Sequence, residues 1–258
     1  MNLSRRAALR AGAGVVAGST LAGCVEQRVT RRTSVIDSSV VWPLSPETGD
    51  SLTAPAFDEY ADQMRDRYGD NGVWGQESER ADEFETAYVS RLAATRETPG
   101  DPGGTASSLV PDDVDPDAPL LFADACVAVY RVDENRYRYW LWAAADSTDG
   151  RLIQDVDLAS LSTGVRFRDG ALADAAQAST AGDGVTVTLG GGPSATFPLH
   201  GGTVETTSNL GAAGDYTVEW GGTVDGVQSV NAVCEEERDG AYDLFWSVAA
   251  GYSFEEDV

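Results

Sequence analysis

The chain has 258 residues, of which 42 are acidic and 18 are basic, and its formal net charge at pH 7 is −24. Because 42% of its residues are hydrophobic, including 6 Trp, 9 Tyr and 7 Phe, it can bury a core, which excludes a disordered acidic chain. The acidic charge also excludes nucleic acid as a partner, since phosphate binding requires basic groups.

The first 24 residues combine three features in a fixed order. Arg5 and Arg6 form a basic pair, residues 11–20 are weakly apolar, and small residues precede Cys24. The apolar part is too short to span a membrane, which takes about 20 apolar residues. Together the features predict a signal peptide over residues 1–23 that ends at a cleavage site.

Two parts of this segment resemble known export signals. The Arg5-Arg6 pair resembles a twin-arginine export signal, although Ala8 stands where an aromatic residue is usual. Residues 21–24 resemble the lipobox of bacterial and archaeal lipoproteins, which implies that Cys24 carries a lipid. The resemblance therefore implies a protein held by lipid on the outer face of the cell membrane. The alternative is a buried N-terminal helix with a chance cysteine.

The charge after Cys24 is more extreme than in the whole chain. None of the 42 acidic residues and three of the 18 arginines precede Cys24, so residues 24–258 carry −27, and the chain has no lysine. In multimolar salt the Debye length is about 3 Å or less, so self-repulsion at this charge is largely screened. The composition resembles that of proteins from extremely halophilic archaea.

Two further cysteines remain after Cys24 is assigned to lipid. Disulfides persist outside the cytoplasm, so Cys126 and Cys234 are predicted to form one. The alternative is a pair of buried free thiols.

Residues 24–119 are predicted to form a tether, a helical hairpin and a linker. Residues 24–55 lack hydrophobic periodicity and predict a lipid-anchored tether, and residues 56–97 predict a helical hairpin. Helical spacing places apolar residues on one face of each helix, over 56–68 and over 77–95: Phe57, Tyr60, Ala61, Met64 and Tyr68 in the first, and Ala81, Phe84, Tyr88 and Leu92 in the second. Residues 98–119 are rich in Pro, Gly and Asp and predict a linker.

The rest of the chain, residues 120–258, predicts a β-rich domain. Alternating residues predict a first hairpin over 121–132 and 136–145, and a last hairpin over 227–236 and 242–252 around Asp239-Gly240. The other predicted elements are strands at 151–156, 164–168 and 216–220, paired strands at 185–189 and 195–199, and a short helix at 171–178. The predicted fold is α+β, with the helical hairpin packed on a mostly antiparallel β-sheet or sandwich.

The sequence contains no motif that names a reaction. His200 is the only histidine, so a multi-histidine metal site is excluded, and no catalytic, cofactor or metal residue is predicted. The second strand of the first hairpin carries an aromatic cluster, which forms a contact surface if the helices leave it exposed and core if they do not: Tyr137, Tyr139, Trp140 and Trp142.

We interpret the chain as a non-catalytic binding or assembly module. Its predicted partners are the membrane, through the lipid on Cys24, and a membrane-protein complex or another surface partner. The alternatives are a carboxylate-using extracellular hydrolase and the solute-binding component of a transporter. A hydrolase would place two carboxylates about 5–10 Å apart in a cleft.

Overall fold

The architecture comes from a computed structural model that describes residues 30–32, 36–49, 51–69, 83–95, 119–147, 156–190 and 192–257. Its elements, in chain order, are β1 (Thr30–Arg32), β2 (Ile36–Leu44), α1 (Ala54–Tyr68), β3 (Phe84–Thr95), β4 (Pro119–Asp133), β5 (Arg136–Asp146), β6 (Val156–Phe167), β7 (Ala171–Ala175), β8 (Gln177–Ala181), β9 (Gly184–Thr188), β10 (Ser194–Pro198), β11 (Thr203–Asn209), β12 (Gly211–Ala212), β13 (Asp215–Val224), β14 (Val227–Glu237) and β15 (Leu244–Asp257).

Two six-stranded antiparallel sheets pack face to face. In the first sheet the order is β15–β6–β13–β11, and β1 and β2 both pair with the free edge of β15. In the second sheet the order is β12–β7–β14–β5–β4–β3. Strand β6 of the first sheet contacts β14 and β5 of the second, so the described residues form a β-sandwich.

A third sheet of three strands, β10–β9–β8, packs against β14. Its residues alternate between buried and exposed positions, and Val185, Val187 and Phe197 are at most 1% exposed. This small sheet therefore buries one face and leaves the other in solvent.

The sandwich core lies between the two large sheets. Tyr139 of β5 meets Phe167 of β6 with ring centroids 5.1 Å apart, and the Trp246 indole donates to the Thr163 hydroxyl at 3.2 Å. Both sheets contribute large side chains that are essentially fully buried, including Tyr137, Tyr139, Phe167, Tyr216, Trp220, Trp246 and Tyr252.

Helix α1 covers the outer face of the second sheet. Proline stands in its first turn, where the missing N–H costs nothing, and Gly69 ends it at φ +64°. Phe57 stacks on Phe84 of β3, and Tyr68 contacts the edge of Trp142. The buried Asp124 of β4 accepts from Arg67 and from the Tyr68 hydroxyl, each at 2.7 Å, which fixes the C-terminal turn to the sheet.

The predicted α+β fold is wrong, because residues 84–95 of the predicted second helix form strand β3; the start of that predicted helix, residues 77–82, lies outside the described residues. Tyr88 and Leu92 stand four residues apart, a spacing that fits one face of a helix and also one face of a strand. Both are buried toward the sandwich core as β3 pairs with β4 over its whole length. The helix predicted over 56–68 is confirmed, as α1.

Two further expectations fail in the β-rich part. Residues 171–178 form β7 and the start of β8 instead of a helix, because pairing with β14 outweighs the helix preference of alanine. Residues 227–237 and 244–257 do not pair as a hairpin, since β14 lies in the second sheet and β15 in the first.

Other expectations agree with the structure. Strands β4 and β5 form the predicted first hairpin, and β9 pairs with β10 as predicted. The strand predicted at 164–168 is confirmed over residues 164–167, where it forms the end of the longer strand β6.

The segment predicted as a tether contains the edge strand β2, so the body begins earlier in the chain than expected.

Candidate functional site

The residues of the predicted anchor and export signal, Arg5, Arg6 and Cys24, lie outside the described residues. So does nearly all of the predicted linker at 98–119.

The predicted disulfide between Cys126 and Cys234 does not form. Both cysteines are free and fully buried, on the two strands that flank β5. Cys126 lies opposite Trp142 of β5, and Cys234 lies opposite Tyr139. These two β5 residues are three positions apart and point to opposite faces, so the thiols do as well. Burial also raises the pKa of both thiols, which keeps them protonated and unreactive.

The predicted aromatic contact surface is core. Tyr137, Tyr139, Trp140 and Trp142 are all buried, and none is more than 4% exposed. Among the described residues, the large exposed hydrophobic side chains are Val41 and Leu210. The described surface therefore offers no extended apolar patch for docking.

The described residue cluster best suited to binding is a cleft of about 580 Å³ at one end of the sandwich, which we call the arginine cleft. It opens where β2 and β6 end and where the chain crosses from β14 to β15. Its walls combine two guanidinium groups, two carboxylates, hydroxyl groups and prolines, from Pro43, Leu44, Ser45, Pro46, Glu47, Thr48, Arg168, Arg238, Ala241, Tyr242 and Asp243.

Backbone hydrogen bonds at the strand ends of each sheet, and side-chain hydrogen bonds from Tyr88 of β3, hold the cleft in shape. The Arg238 amide donates to the Asn135 carbonyl at 2.9 Å, and the Arg168 amide donates to the Asp243 carbonyl at 3.2 Å. Tyr88 donates to the Ser45 carbonyl at 2.7 Å and shares a 2.8 Å hydrogen bond with the Tyr242 hydroxyl. Desolvation raises the pKa of both tyrosines, so this network stays protonated.

Arg168 and Arg238 differ in how they are held. The Arg168 side chain is 50% exposed, lies 3.6 Å from a carboxylate oxygen of Asp243 and stacks over Phe245. The Arg238 side chain is only 9% exposed, and its Nη1 lies 3.3 Å from both Glu236 and the Asp243 carbonyl. Among the described residues its Nε has no hydrogen-bond partner, which for a buried donor costs about 1–3 kcal/mol.

Glu236 lies behind the cleft wall and supports Arg238. Its carboxylate accepts from the Tyr139 hydroxyl, and Gly170 packs so closely on it that a side chain at position 170 would overlap it. Burial raises the pKa of Glu236 to about 7, against the lowering effects of Tyr139 and Arg238. A pKa near 7 suits a general acid, but Glu236 is 0% exposed and cannot touch a ligand in the cleft.

The cleft is therefore equipped to bind a ligand through directional hydrogen-bond donors and acceptors.

Within the described ranges no group of three or more His, Cys, Asp or Glu side chains is arranged to hold a metal ion. His200 lies elsewhere, exposed after β10, where its backbone amide donates to Gln228. In the same part of the chain, no helix has both the length and the apolar character needed to cross a membrane.

Sequence reasoning missed this cleft because its residues come from three distant segments. One signal was present: Arg168-Asp169-Gly170 and Arg238-Asp239-Gly240 are the same triplet, each directly after a long strand. The second triplet was interpreted only as a hairpin turn.

Comparison with known proteins gives no assignment, since no family model, no curated protein and no solved structure matches this chain.

Proposed function

We propose that this chain is a lipid-anchored surface protein of a halophilic archaeon, exported by the twin-arginine route and held on the outer face of the membrane through Cys24. Its β-sandwich serves as a non-catalytic binding module, and the arginine cleft is its binding site.

The observation that carries this proposal is the position of the cleft relative to the anchor. Strand β1 begins at Thr30, six residues after Cys24, and six residues span at most about 20 Å. Thr30 pairs with Asp257 at the end of β15, whereas the cleft lies at the start of the same strand, beside Leu244. The thirteen steps between Leu244 and Asp257 correspond to about 43 Å along a strand.

A lipid on Cys24 thus holds the sandwich by one end and leaves the cleft at the other. A binding site at the end far from the membrane is accessible to solutes and to other surface components. This arrangement suits a binding module better than a protein that acts on lipids at the membrane surface.

The anchor is tested by changing Cys24→Ser and measuring membrane retention. We expect the variant to appear in the medium or to remain as uncleaved precursor, while the wild type stays in the membrane fraction. Substituting Lys for both Arg5 and Arg6 keeps the charge and should still block export. Equal membrane retention of the wild type and Cys24→Ser would refute the anchor.

The orientation is tested separately by labelling intact cells with a bulky maleimide. Glu134 lies in the exposed turn at the cleft end, and Asp225 lies in the exposed turn between β13 and β14 at the opposite end. We expect Glu134→Cys to react several times faster than Asp225→Cys on cells and at a similar rate in detergent. Faster labelling of Asp225→Cys on cells would contradict the proposed orientation.

A further inference from the structure

We propose that the arginine cleft binds a monocarboxylate that also carries hydroxyl groups, the chemical class of the sugar acids. This inference rests on the proposed function and adds the chemistry of the ligand.

The carboxylate part of the proposal follows from the two arginines. A guanidinium is a planar fork of N–H donors that matches a carboxylate in geometry as well as charge. Arg238 lines the cleft with a side chain that is more than nine-tenths buried, and its Nε has no partner among the described residues. The Nε atom is enclosed by the wall, so a ligand in the cleft meets the small part of the Arg238 side chain that stays exposed. Arg168, half exposed at the rim, supplies a second cation.

The limit to a single negative charge follows from the acids in the same walls. Glu47 and Asp243 also line the cleft, so its two cations and two carboxylates balance. Phosphate or a polysulfated group would bring two or more negative charges close to both carboxylates. A monoanion brings only one negative charge near these acids.

The hydroxyl part follows from the remaining polar groups. Glu47 and Asp243 are hydrogen-bond acceptors, and the hydroxyls of a sugar are donors that suit them. The cleft volume of about 580 Å³ falls in the range of small-molecule sites. A protein partner is disfavoured, because the two large exposed hydrophobic residues of the described surface, Val41 and Leu210, do not line the cleft.

The salt-rich setting makes burial of the arginine necessary. At multimolar salt, exposed charges are screened within about 3 Å, and buried groups are screened much less. A long-range basic patch would fail there, whereas a guanidinium held inside a wall by Glu236 and Asp243 can still bind through short hydrogen bonds.

The test is a titration of the full chain in 3 M KCl with glucuronate, with glucose as the neutral analogue and acetate as the carboxylate without hydroxyls. We expect saturable binding of glucuronate and at least tenfold weaker binding of glucose and acetate. A polymer of glucuronate, titrated in parallel, distinguishes a polysaccharide source from the free sugar acid: tighter binding per residue indicates the polymer, and equal binding indicates the monomer.

The matched variants are Arg168→Gln and Arg166→Gln. Both arginines are exposed and stack over Phe245, but only Arg168 lines the cleft. We expect Arg168→Gln to weaken glucuronate binding about tenfold and Arg166→Gln to change it less than twofold. Absence of glucuronate binding by the folded wild type, or equal losses in both variants, would overturn the proposal. Tight binding of glucose would overturn the carboxylate class and leave the binding module intact, whereas the module itself fails only if the anchor and orientation tests fail.

Discussion

The side chains of Glu236, near the end of β14, and Arg238, just beyond that strand, meet at 3.3 Å in the wall of the arginine cleft, with only Glu237 between them in the chain. Alternation along an extended chain places both side chains on the same face. Glu236 is fully buried and Arg238 nearly so, and burial leaves the Glu236 carboxyl with a pKa of about 7. The buried pair thus titrates in a range where an ordinary glutamate is already charged.

Replacing Glu236→Gln should remove a loss of stability that the wild type shows between about pH 4.5 and pH 7. In this window the unfolded glutamate has lost its proton and the folded one keeps it, so folding stability falls as pH rises. A shift from 4.5 to about 7 corresponds to about 3 kcal/mol. Melting temperatures at fixed KCl and at pH values from 4 to 8 measure this. Parallel pH profiles of the wild type and the variant would contradict the raised pKa.

Gly170→Ala should destabilise the fold by about 2 kcal/mol, because the new methyl group overlaps the Glu236 carboxylate and forces it from Arg238 and Tyr139. Gly221→Ala is the control, since a Cβ at this position meets nothing within 4 Å. Urea unfolding at constant salt gives both free energies. A cost at Gly170 no larger than at Gly221 would show that the carboxylate moves aside freely.

Asp124→Asn should weaken the docking of α1 on the second sheet by about 2–3 kcal/mol, somewhat less than for a fully buried ion pair, because Arg67 is 37% exposed. The matched control is Asp62→Asn, which breaks the exposed Asp62–Arg65 pair of the same helix and should cost less than 0.5 kcal/mol. Thermal unfolding followed by circular dichroism compares the two. Similar small effects would mean that Asp124 does not hold the helix.

The two buried cysteines should both titrate as free thiols. In the Cys24→Ser protein, denatured without reductant, we expect two reactive thiols per chain and none before denaturation, since Cys126 and Cys234 are both 0% exposed. Reductant should leave the count unchanged. A count of zero in the denatured, unreduced protein would restore the disulfide that the sequence suggested.

Salt dependence tests the proposed halophilic adaptation. The −27 charge after Cys24 should lower the melting temperature when KCl falls from multimolar to about 0.1 M, because the Debye length grows to about 10 Å and the acidic groups repel one another. A melting temperature that is unchanged across this range would argue against salt adaptation.

The elements that could be predicted from the sequence are those whose hydrophobic pattern fits only one secondary structure. Phe57, Ala61 and Met64 recur at helical spacing without alternation, so they could only form a helix face, and they are the buried face of α1. The first hairpin was equally well defined, because β4 and β5 alternate on either side of a two-residue polar turn.

The wrong predictions share one cause: a sequence pattern indicates an individual strand or turn more readily than the strand with which it pairs. The spacing of Tyr88 and Leu92 fits one face of a helix and one face of a strand, and only the pairing of β3 with β4 decides between the two structures. Asp239-Gly240 indicates a turn, but a turn between strands of one sheet and a crossing between two sheets look the same in sequence. The arginine cleft depends on that crossing, so the site could not be located before the topology was known.

The position of β15 inside the first sheet determines when the protein can fold. Strand β15 lies between β2 and β6 in the first sheet, so this sheet lacks an interior strand until the last described segment has been synthesised. Contacts of such long sequence separation form slowly, which leaves the growing chain without its sandwich during translation. Removal of β15 would therefore unfold the whole first sheet instead of shortening it. The first sheet can therefore form only once β15 has been synthesised, and no oxidation step at Cys126 or Cys234 is needed to complete the fold.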